Sequence, residues 1–126
     1  MARGRDKHDA HKAAVAALGK NLSRRARSQC ELCEDRAPLK VVEVDGNPDE
    51  PNEDWAVMIC ELCEDALGGK ARDTSRLRVL EGTMWSEVRP VQITAVRILR
   101  TLDESWARDA LEGLYLDPEV EALIEA

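Results

Sequence analysis

Residues 30–35 read Cys30-Glu31-Leu32-Cys33-Glu34-Asp35, and residues 60–65 read Cys60-Glu61-Leu62-Cys63-Glu64-Asp65. The two copies of CELCED hold all four cysteines of the 126-residue chain. Two residues between cysteines let both thiolates of a pair turn around one ion. Four such thiolates close a tetrahedral zinc site, with Zn–S bonds of about 2.3 Å. Cys30, Cys33, Cys60 and Cys63 are therefore the expected ligands of one structural Zn2+. A redox pair, disulfides and a four-thiolate iron–sulfur cluster are the competing uses of such cysteines. Neither pair is expected to open a helix after a strand in a βαβ unit, as a redox CxxC motif would. The 26 residues between Cys33 and Cys60 exceed the usual treble-clef gap and suit a zinc ribbon.

Composition points the same way. The apolar share is 44%, yet the chain has no Phe, one Tyr and three Trp. Ala and Val supply much of the apolar content and bury less area than rings. A core of this kind gains from a metal staple, because the free energy of metal binding is also folding free energy. The N-terminal segment carries charges at Arg3, Arg5, Asp6, Lys7 and Asp9 and lacks the apolar run of a secretory signal. No segment approaches the about 18 apolar residues of a membrane span. A cytoplasmic protein is expected, where four cysteines serve metals or redox chemistry more often than disulfides.

Working outward from the cysteines, LKVVEV (39–44) and WAVMI (55–59) are rich in strand formers and flank a polar, proline-containing run over 45–54. This predicts a hairpin with a long, exposed, mobile tip holding Pro48 and Pro51. Gly68 and Gly69 mark a loop over 66–75, and RLRVL (76–80) alternates as an edge strand would. Upstream, Val15, Leu18, Leu22 and Ala26 form an apolar stripe on one helix over 6–27, with Lys20, Arg24 and Arg27 opposite. Downstream, Pro90 opens a helix with Val91, Ala95, Ile98 and Leu102 on one face. Asp103 is expected to cap a second helix bearing Trp106, Ala110, Leu111 and Leu114. Asp117-Pro118-Glu119 starts a third, with Val120, Leu123 and Ile124 packing back. The expected fold is α+β, in three parts. A basic helical arm covers 1–29, a three-stranded four-cysteine zinc ribbon covers 30–83, and a helical C-terminal segment packed on the ribbon covers 84–126.

Charge divides the chain unequally. Its net charge is −7, but residues 1–29 hold eight Lys/Arg against two Asp, and the remainder holds ten Lys/Arg against 23 Asp/Glu. A basic arm on an acidic body either docks on that body or meets a polyanion. Lys20, Arg24, Arg25 and Arg27 are the candidate contacts to a nucleic-acid or protein partner. The acids of both CELCED copies surround a closed thiolate set, an unsuitable place to bind an anion or activate water. His8 and His11 are too few to form a metal site by themselves. The run SRRARSQCELCED (23–35) is similar to the opening of HNH nucleases, but the histidine their chemistry needs is missing after His11. Met84, Trp85, Trp106 and Tyr115 are expected to line the seam between ribbon and helices, with a ligand pocket at Trp85 and Trp106 as the alternative.

The order of cysteine pairs, hairpin, Met84-Trp85-Ser86, Pro90-Val91-Gln92, Trp106-Ala107 and Leu114-Tyr115-Leu116-Asp117 resembles the PhnA-like proteins, named for an alkylphosphonate-utilisation operon. The resemblance covers about residues 28–122. It implies a zinc-ribbon protein that usually continues into a small SH3-like barrel, a part this sequence lacks. It also implies, through the family's label, an enzyme of phosphonate metabolism resembling a phosphonoacetate hydrolase. The residues favour a different expectation: a non-catalytic module with structural zinc and a protein or nucleic-acid partner.

Overall fold

The computed structural model describes residues 2–44 and 52–125, and the side chains among them other than those of residues 2–8 and 11. His8, His11 and most of the expected hairpin tip, including Pro48 and Pro51, lie outside that description. Two strands form one antiparallel sheet: β1 (Leu39–Glu43) and β2 (Ala56–Cys60). Their register pairs Leu39 with Cys60, Val41 with Met58 and Glu43 with Ala56.

All five residues of β2 are buried, as a short continuous apolar run allows. Side chains alternate across a strand. Ala56 and Met58 point to one face, where they pack with Leu22. Val57 and Ile59 point to the other and join the main core. The strand is therefore a wall between the N-terminal arm and the helical body.

The arm is two helices, α1 (Ala2–Ala17) and α2 (Gly19–Ala26). The single helix expected over 6–27 is interrupted at Leu18, beside the helix-weakening Gly19. Of the expected stripe, Leu22 is fully buried and Leu18 packs partly against it. Arg27 ends α2 in the left-handed region (φ 58°), Ser28 follows at φ 59°, and the Ser28 N–H donates to the Ser23 carbonyl at 2.9 Å. That 6→1 bond satisfies an orphan carbonyl of the last turn and swings the chain into the first cysteine pair.

After β2 the structure departs from expectation. Residues 61–67 form a helix, α3 (Glu61–Leu67), so the loop begins only at Gly68. The expected third strand over 76–80 is helical: a 3-10 turn at Arg76–Val79 runs into α4 (Leu80–Thr83). Leu77 and Leu80 are the fully buried residues there, and Val79 is exposed. Their spacing of three matches a helical face and not the alternation of a strand. The chain therefore has a two-stranded sheet among the described residues, not a three-stranded ribbon.

α5 (Arg89–Thr101) is the centre of the body. Pro90 sits in its first turn, and Val91, Ile93, Ala95, Val96, Ile98 and Leu99 are buried. The Thr94 hydroxyl, also buried, donates to the Pro90 carbonyl at 2.7 Å. α6 (Ser105–Glu112) and α7 (Pro118–Glu125) pack on α5. Asp103 does not cap α6; it lies one residue outside the Glu104 cap position and pairs with Arg108 at 3.1 Å. Val120 and Ile124 bury the inner side of α7, and Arg97 of α5 donates to the Leu123 carbonyl at 2.7 Å. No helix among the described residues is long and apolar enough to cross a membrane.

Candidate metal centre

The first cysteine pair occupies a tight turn. The Cys30 N–H donates to the Asp35 carbonyl and the Glu34 N–H to the Cys30 carbonyl, both at 2.8 Å. The Cys33 N–H points at the Cys30 sulfur at 3.5 Å. Glu34 takes φ 65° to close the turn. The outcome is two thiols on one side and Leu32 turned inward, 1% exposed. The Thr83 hydroxyl of α4 donates to the Leu32 carbonyl at 2.8 Å and ties this turn to the body.

The second pair is built differently, although its six residues are the same. Cys60 ends β2 and caps α3, and Cys63 lies in the first turn of that helix. The first pair thus sits on a turn before the hairpin, and the second on the strand end and helix N-terminus that follow it. The second pair does run from a strand into a helix, but β2 pairs antiparallel with β1, so the βαβ setting of a redox motif is not formed among the described residues. The hairpin register does the joining: Cys60 lies opposite Leu39, close behind the first pair.

The four sulfurs converge. Cys30 and Cys63 Sγ lie 3.8 Å apart, Cys33 and Cys60 Sγ 3.6 Å apart, and all four are within 4.8 Å of one another. A regular tetrahedron of thiolates around an ion with 2.3 Å bonds has edges of about 3.8 Å. The donor set therefore fits one tetrahedral metal ion. Cys30, Cys60 and Cys63 are buried, and Cys33 is partly exposed. Crowding separates their ionisation. Hydrogen bonds from Cys33 and Cys63 hold the Cys30 thiol far below its usual value, against the effect of burial. The reciprocal bond to Cys30 and burial push Cys33 up. Cys63 is pushed up by its bonds to Cys30 and Cys33 and by burial. Four thiolates in contact repel one another, so ionising all four calls for a cation among them.

Four of the six acids in the two CELCED copies are paired. Glu31 binds Arg25 at 2.6 Å, Asp35 binds Arg76 at 2.9 Å, Glu64 binds Lys40 at 3.3 Å, and Asp65 binds Arg72. The Arg76 guanidinium holds the Asp35 carboxyl below its usual range. The last residue of each copy thus meets an arginine of the segment between Gly69 and Leu77, which sequence reasoning did not single out. Local patterning carries no signal for these pairs, because they join positions 7 and 41 residues apart. The centre's surroundings are less negative than the repeated acids suggest.

The candidate basic contacts divide. Arg25 is turned onto the body, with its side chain 23% exposed. Lys20, Arg24 and Arg27 are exposed, and their side chains have no hydrogen-bond or ion-pair partner among the described residues. The expected aromatic seam is also divided: Met84 is buried, but Trp85 is 49% and Tyr115 88% exposed. Trp106 packs partly on the core, with the Arg78 guanidinium 5.5 Å above its ring. No protein-family model, curated protein or solved structure matches the chain.

Proposed function

We infer that the chain is a metal-organised interaction module: Cys30, Cys33, Cys60 and Cys63 hold one structural zinc, and the basic arm contacts nucleic-acid phosphates. The spacing of the sulfurs supports a single ion, and a largely buried four-cysteine set, in the reducing setting that we propose with it, supports zinc. The observation that carries the partner reading is the row of Lys20, Arg24 and Arg27. Their side chains are exposed and without partners among the described residues; Lys20 and Arg24 lie on the face of α2 opposite buried Leu22, and Arg27 ends the helix. The resemblance to PhnA-like proteins belongs to this proposal as its family context.

Three phosphate contacts give a slope of log affinity against log salt of about −2.7 on duplex DNA, a loss of about 40-fold between 50 and 200 mM salt. Filter binding of zinc-loaded protein to DNA and RNA at these two concentrations tests it. No retention at low salt would overturn the nucleic-acid reading. The phosphonate-enzyme alternative needs an open metal position for water or substrate, which four thiolates do not leave. The expected release of phosphate from phosphonoacetate is nil, and turnover would overturn the non-catalytic reading.

A further inference from the structure

Glu31 lies between the first two cysteines, and its side chain is 4% exposed. A carboxylate is rarely so buried unless it is paired. Here Oε1 accepts from Arg25 Nε at 2.6 Å, and Oε2 accepts from Arg25 Nη2 at 3.0 Å and from the Met58 N–H at 2.9 Å. The Glu31 N–H donates in turn to the Met58 carbonyl at 2.9 Å. Both backbone groups of Met58 thus go to Glu31, which lies along the edge of β2 that faces away from β1. Arg25 extends the lock: Nη1 donates to the Glu53 carbonyl and Nη2 to the Ala56 carbonyl, each at 2.8 Å. One guanidinium from the arm therefore holds the cysteine turn, the start of β2 and the residue between two metal ligands.

We propose that Glu31 and Arg25 couple the metal to the basic arm. The ion fixes Cys30 and Cys33, the turn between them aims the Glu31 carboxylate, and that carboxylate seats Arg25. α2 then presents Lys20, Arg24 and Arg27 outward to a phosphate backbone in the metal-loaded protein and loses this orientation when the ion leaves. The proposal rests on the reading of the four cysteines as a metal site. It makes Arg25 and Glu31 positioning residues, not contacts to the partner. Coupling is reciprocal: whatever factor the metal contributes to seating the arm, the seated arm returns to metal affinity.

The test uses the full chain as wild type, Arg25→Met, Arg25→Lys and Lys12→Met, each titrated with zinc and followed by hydrogen exchange of residues 19–26. In Arg25→Met, one zinc per chain is retained, but its affinity falls about tenfold, the lower end for groups that support metal ligands. The amides of α2 exchange at least tenfold faster, and those of α5 stay within about twofold of wild type. Chelating the wild type loosens α2 to the same degree. Arg25→Lys, which keeps the charge but not the fork, falls between. Lys12→Met, which removes an exposed charge from α1, changes neither reading. Should Arg25→Met not fold, Arg25→Lys carries the same two comparisons. Arm protection unchanged in the Arg25 variants, or a loosened arm with unaltered zinc affinity, overturns the coupling. A wild type that takes up no zinc overturns the metal reading and the coupling with it. A wild type that binds zinc but no nucleic acid overturns the partner reading, while the exchange comparison still decides the coupling.

Discussion

Leu22→Ala isolates what holds the arm to the body. Leu22 is 0% exposed and packs against Ala56 and Met58, with Leu18, Leu39 and Val41 partly covering it. Truncating a buried leucine costs about 2–5 kcal/mol, depending on how far the site collapses. Met58 lines this site, and an unbranched thioether fills gaps readily. The cost should therefore lie near the lower middle, about 3 kcal/mol, or roughly a hundredfold in the opening equilibrium. The loss should be local. Val57 and Ile59 turn away from Leu22 into the main core, so β2 and α5 keep their own support. Native-state hydrogen exchange reads both parts in one experiment. The expected result is α2 amides exchanging about a hundredfold faster, with α5 within about threefold of wild type. A change in α2 below about tenfold, or equal loosening of α5, would refute the picture of a leucine-docked arm on an independent body.

Two further substitutions test the turn that holds the first cysteine pair. Glu34 sits at φ 65°, where a side chain costs about 1–2 kcal/mol that glycine avoids. Allowing for the extra chain entropy of glycine, Glu34→Gly should raise the melting temperature of the metal-loaded protein by about 3 °C; a lower one on calorimetry would refute the assignment. Thr83→Val leaves the Leu32 carbonyl without its 2.8 Å partner and should cost about 1–2 kcal/mol, read as a lower urea midpoint at constant slope. An unchanged midpoint would show that α4 does not brace the turn.

What was legible in the sequence follows from how local the signals are. The hairpin strands announced themselves through Val41, Val42, Val57 and Ile59, and the C-terminal helices through Pro90, Pro118 and apolar residues three and four apart. Both are properties of neighbours along the chain. The segment Arg76–Leu80 was misleading because five residues cannot separate a period of two from one of three; burial of Leu80 and exposure of Val79 decided for the helix. The identical spelling of the two cysteine pairs carries no sign that they are built differently. Their flanks decide otherwise: Leu18–Arg27 delivers the first into a left-handed turn, and Ala56–Ile59 delivers the second from a strand into α3. The pairing of Arg25 with Glu31, and of Arg72 and Arg76 with the aspartates ending the two copies, depends on the folded chain and could not be read from either hexapeptide.

A single tetrahedral ion held by four thiolates from two unlike elements would be visible in X-ray absorption at the zinc edge of the purified, zinc-loaded chain. The expected spectrum gives one zinc per chain with four sulfur neighbours at about 2.3 Å and no lighter ligand bound to the ion. A shell with nitrogen or oxygen neighbours, fewer than four sulfurs, or a chain that takes up no zinc would contradict it.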